Sequence, residues 1–206
     1  MASRRILVNE DNKMEEGLIL TLIRHGETDG NLNRRWQGDT DAGLNDRGRK
    51  QVLEVAEKLK NQDFDIIMHS GMRRSFESAA ILMDRLKVKE IGMFTALRDR
   101  SMGAAENLTS EEVEQKYGFY FTNILSEDVD ALPGAETIAH LVSRVDNTRK
   151  YLAERYQGKK ILAVSHGGFL RMFYREFVDD PHHIRFVNCS YYTVSIRTER
   201  TDLIEA

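Results

Sequence analysis

Two apolar runs, far apart in the chain, end in the same step. Leu18-Ile19-Leu20-Thr21-Leu22-Ile23 passes into Arg24-His25-Gly26, and Ile161-Leu162-Ala163-Val164 passes into Ser165-His166-Gly167-Gly168. A nearly unbroken apolar run of this length reads as a strand buried on both faces, which calls for an interior sheet covered on each side. Ligands of open α/β sheets collect at the carboxyl ends of such strands. There a glycine after the histidine lets a ligand approach the backbone closely. A lone strand-terminal histidine reads best as an ordinary surface residue. Two of them in one domain predict two imidazoles converging on one site.

The remaining chain fits around these strands. Residues 28–45 form a long polar loop carrying Arg34, Arg35, Trp36, Gln37 and Gly38, and loops of that length in compact domains are usually functional. Asn45 or Asp46 can cap the next helix, in which Val52, Val55, Ala56 and Leu59 recur at spacings of three and four. Residues 64–70 predict a second strand. After Gly71 a helix follows, with Met72, Phe76, Ala79, Ala80 and Met83 on one side. Residues 88–94 are a weaker strand, interrupted by Gly92, and an irregular segment with Gly103 comes next. Thr109-Ser110-Glu111-Glu112 is a capping box that opens a short helix to about Tyr117. Pro133-Gly134 precedes a helix over 136–156. Residues 161–165, 167–177 and 188–196 then read as strand, helix and strand. Strands alternating with helices predict an α/β protein: a three-layer α/β/α sandwich with a mostly parallel central sheet.

The 206 residues suit a single domain over 17–206, preceded by an appendage at 1–16 in which Arg4 to Val8 is an edge-strand candidate. A net charge of −3 gives no bulk attraction to nucleic acid or anionic membranes. No apolar run approaches the roughly 20 residues of a membrane span, and the apolar stretch near the start is too short for a signal peptide. Cys189 is the one cysteine, so no intrachain disulfide can form and a reducing, cytoplasmic location is expected. Cys189 reads as a small buried residue rather than a nucleophile. His182-His183 reads as a solvated loop pair, since neighbouring side chains on an extended chain point to opposite faces. His69 and His140 read as residues of their elements. No metal or other cofactor is expected.

The order of short motifs resembles a family. Arg24-His25-Gly26-Glu27-Thr28 with Asn31 resembles the signature of the histidine phosphatase superfamily, the phosphoglycerate mutase-like family. Gln37-Gly38 with Asp41, Leu44 and Gly48 is similar to its second block. Ser70-Gly71-Met72-Arg73-Arg74-Ser75 is similar to the next, which puts the phosphate-binding arginine at Arg74 rather than Arg73. Leu97-Arg98-Asp99, with Gly103 and Glu106, resembles the block that supplies the acid. Pro133-Gly134-Ala135-Glu136 with Arg144-Val145, then Ser165-His166-Gly167-Gly168, then Asn188, complete the series. The resemblance implies a phosphoglycerate mutase-like fold and a phosphohistidine mechanism. It also implies a small phosphorylated metabolite as the binding partner, and leaves self-association open.

The residue types suit that chemistry. A phosphomonoester carries close to two negative charges near neutral pH. Transfer of its phosphoryl group needs fixed positive charge around the oxygens. Arg24 and Arg74 can offer bidentate forks, and His166 a further donor. The amides of Gly167 and Gly168 open a helix whose N-terminus favours anions. A neutral imidazole is a competent nucleophile, which assigns His25. Asp99 is the expected general acid and later base, with Glu106 its competitor. Asn31, Gln37, Gly38 and Gly167 are expected phosphate or substrate contacts. Glu27 and Glu136 are expected to be structural, and Trp36 a lid, core or substrate residue. Arg34, Arg35, Arg98 and Arg100 suggest either a substrate with a second anionic group or a solvated basic face.

The chain departs from the family where the acid is usually glutamate. Asp99 withdraws the carboxyl by on the order of 1 Å. Ala105-Glu106-Asn107 replaces a tryptophan-glutamate-glycine step. Three functions remain in view. The first is a phosphomonoester hydrolase. The second is a 2,3-bisphosphoglycerate-dependent phosphoglycerate mutase, disfavoured by the short stretch between Gly103 and Pro133 and by Gly168 where mutases tend to have asparagine. The third is a non-catalytic phosphate-binding or interaction domain.

Overall fold

The computed structural model describes residues 17–178, 186–197 and 200–205. The appendage over 1–16 and the His182-His183 pair lie outside the described residues. The chain runs β1 (Leu18–Arg24), α1 (Asp29–Leu32), α2 (Asp46–Leu59), β2 (Ile66–His69), α3 (Arg73–Leu86), β3 (Glu90–Met93), α4 (Ser110–Tyr117), α5 (Ile138–Arg155), β4 (Lys160–Ser165), α6 (Gly167–Phe177), β5 (Tyr191–Arg197) and β6 (Arg200–Glu205). One sheet takes all the strands in the order β3-β2-β4-β1-β5-β6. The first four in that order are parallel neighbours, and β5 and β6 close one side as antiparallel strands.

Both apolar runs lie where double burial requires. β1 and β4 are adjacent at the centre of the sheet. One face of the sheet presents Leu18, Leu20, Leu22, Ile161 and Ala163 to Leu141, Val145, Phe169 and Phe173 of α5 and α6. The other presents Ile23, Ile67, Leu162 and Val164 to Val52, Val55, Leu59, Ala79 and Leu82 of α2 and α3. Each fully buried side chain of this size contributes on the order of 1.5–3 kcal/mol. The chain leaves β1 through α2 toward β2, on one side, and leaves β4 through α6 toward β5, on the other. That reversal between β1 and β4 opens a crevice above their carboxyl ends.

Several local expectations change. The buried stripe of α3 is Arg74, Ser75, Ser78, Ala79 and Leu82, not the Phe76 and Met83 side. Phe76 is 48% exposed and packs its ring on His69. The stripe can be polar because each group has a partner: Ser75 Oγ donates to the Val164 carbonyl and Ser78 Oγ to that of Arg74. β6 was not expected. Its Arg-Thr-Asp-Leu-Ile-Glu sequence carries little apolar signal, as edge strands often do. The segment read as irregular, around Gly103, holds short 3₁₀ turns, and together with α4, where a helix was expected, it packs around a separate small core of Met102, Ala105, Val113, Phe121, Ile124, Val129 and Leu132. This cap covers the crevice. Asn45, rather than Asp46, caps α2 by accepting from Gly48 N at 2.8 Å, and Thr109 forms the expected capping box on α4. Among the described residues no helix is long and apolar enough to cross a membrane.

Candidate active site

Strand register brings the histidines together. Arg24 on β1 stands opposite Ser165 on β4, and His25 N donates to the Ser165 carbonyl at 3.1 Å. The residues that follow are therefore neighbours: the His25 and His166 rings lie 5.0 Å apart at 57°. The turn after β1 is wedged against the start of α2. A Cβ at Gly26 would lie 2.5 Å from the Gly48 carbonyl oxygen, and one at Gly48 only 2.1 Å from that of Glu27. Neither position tolerates a side chain.

Hydrogen bonds fix both rings. His25 Nδ1 lies 2.7 Å from the Gly26 carbonyl oxygen. A carbonyl only accepts, so the proton sits on Nδ1 and Nε2 keeps its lone pair. Arg74 Nε donates to His166 Nδ1 at 3.2 Å, which leaves the His166 proton on Nε2, directed to Ser70 Oγ at 2.7 Å. Burial, followed by the Arg74 and Arg24 charges, holds His25 well below the usual imidazole range. Burial and Arg74 do the same to His166. Both rings are neutral at pH 7.

The two arginines differ in their commitments. Arg74 is fully buried, and donates to the Gly38 and Thr40 carbonyls as well as to His166. Arg24 donates to the Phe186 carbonyl at 2.7 Å, while its buried Nε has no partner among the described residues. Burial lowers its pKa to about 10, opposed by the nearby Asp99 carboxylate.

A cavity of about 570 Å³ opens above His25. Of the expected residues, Arg24, His25, Asn31, Gln37, Asp99 and Gly167 line it. Arg74, His166 and Gly38 do not, and stand behind the floor. Gln37 accepts from Thr28 Oγ1 at 2.9 Å. Asn188 Nδ2 donates to both the His25 carbonyl and Asn31 Oδ1 at 3.0 Å, tying the last motif to the first. Gly38 adopts φ +49°, and a Cβ there would meet Glu106 Oε1 at 2.5 Å.

The two candidate acids are placed differently. Asp99 Oδ1 accepts from the Gly168 and Arg100 amides at 2.8 and 3.0 Å. The Gly168 amide, expected to face a phosphate, is thus taken by Asp99. A Cβ at Gly168 would lie 2.5 Å from Asp99 Oδ1, so this placement needs glycine there. The Arg100 side chain turns away, fully buried, to Asp130 and to the Ile124, Ser126 and Glu136 carbonyls. Arg144, paired with Glu136, donates to the Ala96, Arg98 and Asp99 carbonyls and pins the segment. Glu106 is spent on the loop: it accepts from Asp39 N at 2.9 Å and from Met102 N and Thr40 Oγ1, and does not line the cavity.

Trp36 lines the cavity and packs on Phe121 of the cap at 5.1 Å. Arg34 and Arg35 reach its rim, where Arg35 pairs with Glu112 at 2.7 Å. Cys189 is half-buried, its thiol pushed up to about 12 chiefly by burial. Among the described residues no group of three or more histidine, cysteine, aspartate or glutamate side chains could hold a metal ion. Sequence reasoning missed Arg171, which lines the cavity. Its spacing of four from Gly167 on a helix was the available signal, because such residues share a face.

Known proteins resemble this chain closely. It is 32% identical over 160 residues to phosphoglycerate mutase-like protein 4 of Arabidopsis thaliana, covering 75% of this chain and 69% of that protein. It is 26% identical over 205 residues to the metal-independent phosphoserine phosphatase of the same plant, covering 97% and 85%. The solved structure of Bacillus stearothermophilus YhfR superposes with a TM-score of 0.78 at 23% identity, over 91% of this chain and 96% of that one. The model of the histidine phosphatase superfamily (branch 1) matches residues 20–205, from the first buried strand to the last. By that match the chain belongs to the histidine phosphatase superfamily.

Proposed function

We propose that the protein is a phosphomonoester hydrolase acting on small phosphorylated metabolites through a phosphohistidine at His25. The observation that carries this reading is the ring of His25. Its Nδ1 is committed to a carbonyl, so the Nε2 lone pair is the one available to a cavity lined by cations. Among the described residues that line the cavity, Arg24 Nε and Trp36 Nε1 are buried donors without a partner, and the cationic one suits an anion.

Nε2 attacks phosphorus in line with the ester oxygen. The N–P bond forms as the P–O bond breaks, and Asp99 delivers its proton to the leaving oxygen. General acid help of this kind typically contributes about 10²–10⁴-fold. Arg24 meets the phosphoryl oxygens at the cavity wall, and Arg74, its guanidinium held behind the floor, adds its positive charge from beneath the nucleophile. In the second half Asp99, now ionised, takes a proton from water as its oxygen attacks phosphorus. The N–P bond breaks, its electrons return to Nε2, and inorganic phosphate leaves. His166, held between Ser70 and Arg74, positions the floor.

The relative named a phosphoserine phosphatase supports a small phosphorylated substrate. The Asp99–Gly168 contact favours hydrolysis over phosphoryl return, because an asparagine of the kind mutases tend to carry after the second His-Gly has no room at 168. Rapid quenching during turnover of p-nitrophenyl phosphate should trap an acid-labile, base-stable phosphoprotein. His25→Ala should abolish both that species and turnover, a loss of at least about 10⁴-fold. Label persisting on His25→Ala would assign the nucleophile elsewhere, and conversion of 3-phosphoglycerate to its isomer without phosphate release would assign a mutase.

A further inference from the structure

Asp99 sits in a stretch that no strand or α-helix supports, between the 3₁₀ turns Thr95–Leu97 and Gly103–Ala105. Its backbone is held instead by side chains from elsewhere. Four consecutive carbonyls accept such bonds. Ala96, Arg98 and Asp99 accept from Arg144 on α5 at 2.7, 2.8 and 3.1 Å, and Leu97 accepts from Ser165 Oγ, at the end of β4, at 2.6 Å. The other N–H groups of Arg144, on Nε and Nη2, go to the two oxygens of Glu136 at 2.8 and 2.6 Å, so all five of its donors are used. Glu136 closes the frame from the far side. Its amide donates to the Ser101 carbonyl at 3.0 Å, and its own carbonyl accepts from Arg100 Nε at 2.7 Å.

The carboxyl that this frame carries is free at one oxygen. Oδ1 accepts from the Gly168 and Arg100 amides, whereas among the described residues nothing donates to Oδ2. Oδ2 is therefore the oxygen that holds and delivers the proton. An aspartate has one side-chain torsion fewer than a glutamate, so Oδ2 goes where the Asp99 backbone puts it. A misplacement of about 1 Å from a change far from the chemistry can cost on the order of 10²-fold. A carboxyl on so short a stem needs its backbone fixed, and Arg144 bonds to that backbone at Asp99 itself and at the residue before it.

We propose that Arg144, oriented by Glu136, is a positioning residue for proton transfer: it sets the reach of Asp99 Oδ2 to the leaving-group oxygen. This rests on the hydrolase reading with Asp99 as its acid, and names the device that places that acid. A merely structural arginine would, when replaced, slow every substrate alike. A positioning arginine has a different signature, because only a substrate whose leaving group needs the proton feels the carboxyl move.

The test measures phosphohistidine formation in single turnover with two substrates of similar shape, p-nitrophenyl phosphate and benzyl phosphate, whose alkoxide is far more basic. Arg144→Lys keeps the charge but cannot hold the carbonyls and both Glu136 oxygens at once. It should slow benzyl phosphate about 10- to 100-fold and p-nitrophenyl phosphate less than about threefold. Glu136→Gln should move that ratio in the same direction by a smaller factor. Added to Asp99→Asn, Arg144→Lys should slow benzyl phosphate by no more than about threefold further, because the group it positions is already gone. A ratio of two substrates within one variant does not depend on how much of that variant is folded. A ratio unchanged in either single variant, or a full additional loss in the double variant, would overturn the proposal. Asp99→Asn slowing both substrates alike would instead overturn the acid assignment beneath it, and a wild-type protein that hydrolyses no phosphomonoester would overturn the hydrolase reading.

Discussion

The floor of the cavity and the cap above it are built by different means. The floor is made where adjacent strands end. His25, His166 and Ser70 sit there because β1, β4 and β2 are paired in register. The cap is made of turns and one short helix around its own small core. It meets the floor through a few polar contacts, of which Asp99 with the Gly168 amide and Glu106 with the Gly38 loop are the main ones. The comparison teaches a division of labour. The rigid sheet holds the nucleophile and the charge, while the loops supply the proton and shape the space for the rest of the substrate.

The largest effect that can break this division concerns the proton. Asp99→Asn should slow phosphohistidine formation from alkyl phosphates by about 10²–10⁴-fold in single turnover. The loss on p-nitrophenyl phosphate should be much smaller, because that leaving group needs little protonation. Glu106→Gln, a change in the loop anchor, should slow both substrates alike. Leaving-group dependence appearing in Glu106→Gln and not in Asp99→Asn would exchange their roles.

The two cores should also respond differently to equal damage. Phe173 in the sandwich and Phe121 in the cap are both buried. Phe173→Ala should cost the usual 3–5 kcal/mol, about as large a loss as a core cavity produces, in urea unfolding. Phe121→Ala should cost less globally, since the cap can open locally while the sheet stays intact. It should nevertheless lower kcat/KM more than Phe173→Ala does. Equal losses of global stability would show that cap and sandwich unfold as one unit.

Acid distinguishes the floor by a smaller margin. His25 and His166 are buried neutral, with folded pKa values below the unfolded value of about 6.5. Below that pH the unfolded chain binds protons that the folded chain refuses, so their effect is to lower stability as pH falls and to leave it unchanged above. His25→Gln should remove about 1 kcal/mol of the stability change between pH 6.5 and 5.5, read from urea unfolding at fixed ionic strength. A slope unchanged by the substitution would mean that the imidazole is protonated in the folded protein.

The same division governs what could be read without coordinates. The strand-end histidines, the α2 stripe and the capping box on α4 are local patterns, set by periodicity and short-range hydrogen bonding, and each appears where the residues indicated. The α3 stripe was misjudged for a physical reason. Apolarity normally marks the buried side, but here Arg74, Ser75 and Ser78 are buried because partners from other elements satisfy them. β6 carries too little apolar contrast to be seen from its own residues.

The sequence by itself determined that two histidines end two interior strands, that arginines accompany them, and that helices alternate with strands around a sheet. Those properties follow from the order of apolar and polar residues along the chain. Only the tertiary structure decided which way each charge faces. Asp99 meets the Gly168 amide across 69 residues, Glu106 is drawn to the Gly38 loop, and Arg171 reaches the cavity within the field of Asp99. Charge pairing across such separations depends on which loops the sheet brings together, and no local pattern encodes that.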